Sequence, residues 1–113
     1  MKEIKAYIKP HKLSAVTLAL HKIDGLTGLS VMPMRGFGRG RAKESPQRIV
    51  EDLLDYMPCV KIEIVCCDEL VEEVIAHIVQ AAHTGLRGDG KIYVTPVETA
   101  LRISTGERGE EAV

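Results

Sequence analysis

Two short stretches hold the residues best suited to chemistry. Gly85-Leu86-Arg87-Gly88-Asp89-Gly90-Lys91 sets glycines and a lysine in the order Gly-x-x-x-x-Gly-Lys. Glycine lets backbone N–H groups approach an anion closely, and a lysine ammonium adds positive charge at the same place. The stretch is a near match to the phosphate-binding P-loop. It departs at Ile92, where a hydroxyl would be needed for Mg²⁺, and in running from a helix into a strand rather than the reverse. Phosphate binding by the turn 84–91 is the expectation, with an ordinary helix-to-strand turn as the alternative. Gly36-Phe37-Gly38-Arg39 is a second glycine-rich cationic element, but Arg41 breaks the dinucleotide fingerprint. Arg102 and Arg108 near the C-terminus offer a third source of positive charge.

Other constellations are weaker. Cys66 and Cys67 are adjacent, so on a strand they leave opposite faces and do not share one ion within a subunit. His77 and His83 lie six apart, not the three or four that put two ligands on one helix face. No resident metal is expected, and a metal-responsive protein stands as an alternative reading. No Ser-His-Asp or Cys-His order is evident, and the chain contains no Asn to position a water, so no catalytic residue and no enzyme are expected. An RNA-binding module using a basic loop is a further alternative. One Phe, three Tyr and no Trp leave few stacking surfaces for it, so no nucleic-acid partner is expected.

The elements that position these residues follow from periodicity. Ile4, Ala6 and Ile8 alternate with Lys5, Tyr7 and Lys9 in a strand stopped by Pro10. Leu13, Val16, Leu20 and Ile23 have helical spacing, ended by Asp24-Gly25. Residues 28–34 read as a second strand closing at Pro33. Residues 35–48 carry five basic residues against one Glu, a loop of about +4. From Ser45-Pro46 a short helix is predicted, with the returning arm of a long hairpin as the alternative. Val60, Ile62, Ile64 and Cys66 alternate in a third strand. Asp68 is the expected N-cap of a helix whose apolar face is Leu70, Val71, Val74, Ile75, Ile78 and Val79. That helix ends near Thr84-Gly85, a fourth strand runs from Ile92 to Pro96, and residues 98–113 form a polar tail.

The order β-α-β, long loop, β-α-β predicts an α+β fold: a ferredoxin-like βαββαβ sandwich, with two helices on one face of a four-stranded antiparallel sheet. Ala6, Val60 and their neighbours are expected to make both sheet faces partly apolar, so that oligomerisation covers the open one. With 113 residues the chain is one domain, long enough for a core without staples. A net charge of −1 argues against a whole-domain hold on nucleic acid. No apolar run approaches the ~20 residues of a membrane span, the start shows no signal-peptide core, and three cysteines fit a reducing compartment. A cytoplasmic protein is expected.

Four ordered motifs closely resemble the PII signal-transduction proteins: Gly36-Phe37-Gly38-Arg39; Met57-Pro58 before Val60-Lys61-Ile62-Glu63; Thr84-Gly85 with Gly88-Asp89-Gly90-Lys91-Ile92; and Arg102-Ile103 with Thr105-Gly106-Glu107-Arg108-Gly109. The resemblance runs from Met1 to Val113. It implies a homotrimer with nucleotide clefts between subunits, binding ATP or ADP, with AMP a further candidate and Mg²⁺ left open. It also implies a T-loop, about residues 39–55, that contacts a protein target such as a membrane transporter or an enzyme. Carried over, adenine and ribose would meet Ile8, Ser30, Val65 and the backbone of Gly36, Phe37 and Gly38. Phosphates would meet Arg39, the backbone of Gly88, Asp89 and Gly90, and Lys91, with Arg102 reaching in from the adjacent subunit.

The sequence departs from the family where effectors act. Members that sense 2-oxoglutarate carry Gln where Gly40 stands and Lys where Cys59 stands; neither replacement supplies the amide ligand or the ammonium, so loss of that response is expected. Asp52 occupies the position of the modified loop tyrosine and Val50 that of a serine phosphorylated in some members, which excludes modification at the usual site. Tyr56 aligns with the hydrophobic residue before the Met57-Pro58 pair, and Ser104 replaces a second arginine of the tail. The pattern resembles a divergent paralogue, of the subgroup encoded beside metal-efflux systems.

Overall fold

A computed structural model describes residues 1–36 and 57–113. The T-loop, the helix expected from Ser45, and Phe37, Gly38 and Arg39 lie outside the described residues. Within them the order is β1 (Lys2–Ile8), α1 (Leu13–His21), β2 (Ser30–Gly36), β3 (Met57–Cys66), α2 (Val71–Ala82) and β4 (Lys91–Pro96). The strands form one sheet in the order β2-β3-β1-β4, with every neighbouring pair antiparallel. This is the α+β arrangement expected from the element order, with α1 and α2 packed on one face.

Alternation decides which face is buried. Ile4, Ala6 and Ile8 of β1 pair with Ile64, Ile62 and Val60 of β3, and all six sit in the core with Val16 and Leu20 of α1 and Val74 and Ile78 of α2. Ala6 and Val60 therefore share the helix-covered face, which corrects the expectation that they make both faces apolar. The open face instead carries Glu3, Lys5, Tyr7, Lys61, Glu63 and Val65, with Tyr93 from β4. Its charges pair along the strands, Lys5 Nζ to Glu3 at 3.6 Å and Lys61 Nζ to Glu63 at 3.0 Å. Tyr7 and Tyr93 meet edge to face at 6.0 Å.

β3 starts at Met57 rather than Val60 and β4 at Lys91 rather than Ile92, and further differences from the sequence expectation have local causes. β2 does not close at Pro33 but runs on to Gly36, because β2 is an edge strand where a residue without an N–H is tolerated. Asp68 does not cap α2. It sits in a 3-10 turn, Asp68–Leu70, whose N-cap is Cys67, and its carboxylate bonds the Met1 ammonium at 3.0 Å. That contact holds the Asp68 carboxyl below its ordinary range. α1 ends at His21, and Ile23 is buried in the turn that follows, where Gly25 takes a left-handed φ of +86°.

The polar tail is also structured. Val97 N–H donates to the Met1 carbonyl at 3.1 Å, and Leu101 bridges Arg108 in a short hairpin with Ile103 near its tip. Among the described residues no helix is long and apolar enough to cross a membrane.

Candidate functional site

The turn between α2 and β4 lies against the end of β1. Lys91, the first residue of β4, pairs with Tyr7, and the Gly90 backbone passes so close to β1 that a Cβ there would fall 1.6 Å from the Tyr7 carbonyl oxygen. Only glycine fits. Gly90 also has φ +107°, and Gly88 has φ +83°, so the two residues flanking Asp89 adopt backbone that favours glycine. Backbone of this kind can turn successive N–H groups to one side, the geometry of an anion nest.

Asp89 closes the turn from within. Its carboxylate accepts from the Thr84 hydroxyl, from Thr84 N–H at 2.8 Å and from Gly85 N–H at 3.2 Å. Lys9 Nζ lies 3.2 Å from the same carboxylate and donates to Thr84 Oγ1 at 3.1 Å. Leu86 N–H donates to the same Thr84 oxygen at 3.0 Å. The Thr84 hydroxyl above all, then the N–H groups and Lys9, hold the Asp89 carboxyl well below the usual carboxylate range. One acid thus ties the start of the turn to its end and to β1. Lys9 and Lys91 bring two basic residues to the turn that holds that carboxylate.

Beside the turn lies a groove of about 320 Å³, lined by Tyr7, Ile8, Ile75, Val79, His83 and Lys91 among others. Ile8 is 3% exposed, with its side chain in the core, so what it offers the groove is an apolar edge and backbone. An apolar hollow beside a turn that carries Lys9 and Lys91 suits a ligand with an apolar end and an anionic end.

Within one chain, the described residues expected at the site fall into two sets. Ile8, Gly88, Asp89, Gly90 and Lys91 come together where β1 ends, and Gly36 lies at the same end of the sheet, opposite Met57. Ser30 and Val65 lie towards the other end: Ser30 pairs with Glu63, and Val65 is two residues further along β3. Ile8 pairs with Val60, five residues before Val65, which is about 17 Å along a strand. Arg102 is exposed in the tail, which leaves the sheet at that far end, where Pro96 pairs with Lys2. Lys9 is not among the residues that the sequence points to, and Thr84 enters there only as the start of the turn 84–91; its side-chain bond to Asp89 and the Lys9 contact are what the structure adds.

A family model described as nitrogen regulatory protein P-II matches residues 1–107. Nitrogen regulatory protein P-II of Azospirillum brasilense is 51% identical over 113 residues, with both chains covered in full. The proteins of the same name from Rhodospirillum rubrum and Haemophilus influenzae are 51% and 46% identical, again over the whole of both chains. With a β-α-β, β-α-β chain, its glycine-rich turn closed on β1 and this likeness over its whole length, the chain belongs to the P-II family of nitrogen regulatory proteins.

Proposed function

We propose that the chain is a regulator that binds ATP or ADP in clefts between the subunits of a homotrimer and passes the bound state to a protein target through the loop at about 39–55. The observation that carries this reading is the separation of its two sets of candidate residues. Gly88, Gly90 and Lys91 lie at one end of the sheet, and Ser30, Val65 and Arg102 towards the other. No single mononucleotide touches both ends of one chain. A ring in which one end of each subunit meets the opposite end of the next would build a complete cleft at every junction. Lys91 would then hold the phosphates from one side and Arg102 from the other, with Ile8, Val65 and the Gly36–Gly38 backbone around the base and ribose. Ile103, 95% exposed beside Arg102 in the tail hairpin, gives the neighbouring subunit an apolar contact.

In this reading Asp89 acts through its backbone and by fixing the turn, because its carboxylate is already engaged. Nucleotides switch the loop only through unequal affinity for its conformers, so the function is linkage and not turnover. The 2-oxoglutarate response is lost, since Gly40 and Cys59 supply neither an amide ligand nor an ammonium. The protein works in the cytoplasm, where its nucleotides are.

Calorimetric titration with ATP, ADP and AMP, with and without Mg²⁺ and 2-oxoglutarate, tests the reading. Nucleotide binding that 2-oxoglutarate leaves unchanged, and that Lys91→Ala weakens while light scattering still gives a trimer, is the expected result. Absence of binding by all three nucleotides would overturn it.

A further inference from the structure

A carboxylate stands where the nucleotide reading places phosphates. Asp89 lies between Gly88 and Gly90, whose N–H groups are the expected phosphate donors, and directly before Lys91. Its carboxyl is held well below the usual carboxylate range, so at neutral pH it is charged and repels an anion. A phosphate site built on this turn therefore needs a cation that answers Asp89 rather than the ligand.

Lys9 has the geometry for that task. It stands directly before Pro10, which keeps the preceding residue extended, and its backbone has φ −66° and ψ 139°. Lys12 N–H donates to its carbonyl at 3.0 Å and fixes it further. From this anchored position the side chain reaches across the turn. It passes Gly88 so closely that a Cβ there would lie 3.6 Å from Lys9 Cε. The ammonium ends between two oxygens, 3.2 Å from Asp89 Oδ1 and 3.1 Å from Thr84 Oγ1. The Thr84 hydroxyl donates to the same Asp89 Oδ1, so the three side chains form a closed network. The Lys9 and Asp89 side chains are only 20% and 24% exposed, so solvent screens their attraction incompletely.

We propose that Lys9 is a positioning residue for the phosphate turn: its ammonium neutralises Asp89 and pins Thr84 to it, so that an anion meets the turn's N–H groups and Lys91 without an opposing bare carboxylate. The inference rests on the nucleotide reading and adds a residue to it. Lys9 acts through Asp89 and touches no phosphate. Its contribution therefore depends on the charge at position 89, which a direct ligand's would not.

That dependence is the test. ATP and inorganic tripolyphosphate are titrated by calorimetry into the full-length wild type, Lys9→Gln, Lys9→Arg, Asp89→Asn and the double variant Lys9→Gln with Asp89→Asn. Light scattering and urea unfolding report assembly and folding of each. Lys9→Gln is expected to weaken both probes about 10-fold, roughly the effect of one unit charge about 10 Å away at an effective dielectric constant of about 20. Lys9→Arg keeps the charge and is expected to restore most of the affinity. In the Asp89→Asn background the same Lys9→Gln change is expected to alter affinity by no more than about twofold, the ordinary error of additivity. Equal losses in the two backgrounds would make Lys9 a direct ligand and overturn the inference. So would Lys9→Arg binding as weakly as Lys9→Gln, which marks a packing role, or Lys9→Gln binding as tightly as wild type. Wild type that binds neither probe would overturn the nucleotide reading and the inference with it.

Discussion

At the residue scale the turn depends on two positions with different physics. Gly90 is required sterically: a Cβ would strike the Tyr7 carbonyl, and φ is +107°. Gly90→Ala is expected to cost more than about 2 kcal/mol, since backbone strain alone costs about 1–3 kcal/mol at such a site, and urea unfolding measures it. Asp89 is required electrostatically. Its folded-state carboxyl titrates below the unfolded value of about 3.9, so it adds stability above that pH and loses it as the pH falls towards the folded value. Wild type is therefore expected to exceed Asp89→Asn in stability by a constant margin above about pH 5, a margin that shrinks on further acidification. A gap that widens in acid would contradict the assignment. Comparing the two proteins also cancels Asp68, whose carboxyl is depressed as well. The glycines of this turn were legible in the sequence because their spacing is itself the signal. The Lys9–Thr84 contact was not, because it joins positions 75 apart that no local pattern connects.

At the element scale, alternation and helical spacing gave the type and order of the described strands and helices, and the exceptions have local causes. Pro33 reads as a strand end when the strand is imagined in the middle of a sheet. Its tolerance depends on β2 being an edge, which is a property of the topology. Asp68 reads as a cap because its type and place fit one; the Met1 ammonium, 67 residues away in the chain, takes its carboxylate instead. The same edge-to-centre contrast predicts unequal costs on one cross-strand pair. Ile62 is fully buried, whereas its partner Val31 is 40% exposed. Ile62→Ala is expected to cost about 2–5 kcal/mol through a cavity at the centre of the core. Val31→Ala should cost no more than about 1 kcal/mol, the worth of a cross-strand pair. Denaturant midpoints at unchanged slope separate the two, and equal costs would mean that the edge is packed as tightly as the centre.

At the scale of the whole molecule, the open face and the tail are the parts that the proposed trimer would use. Sequence periodicity leaves one face open but expects Ala6, Val60 and their neighbours to make both faces partly apolar; the pairing of Ala6 with Ile62 and of Ile8 with Val60 puts both residues on the helix-covered face instead. The candidate site is divided in the same way. Lys91 belongs to one end of the sheet and Arg102 to a tail leaving the other, so the proposed cleft needs two copies of the chain. That division can be tested without a structure of the assembly. Lys91→Ala and Arg102→Ala homotrimers each lack one of these contacts in every cleft, and both are expected to bind ATP at least about 10-fold more weakly, the loss of a charge-assisted contact worth about 1.5–3 kcal/mol. Unfolding the two variants together and refolding them forms mixed trimers. In any mixed ring, one junction sets an intact Lys91 against an intact Arg102, and that cleft regains wild-type affinity. Calorimetry on the mixture should therefore show a tight class of sites that neither variant has alone. If Lys91 and Arg102 served a nucleotide within one chain, mixing would restore nothing, and the inter-subunit cleft would have to be abandoned even if each variant binds weakly.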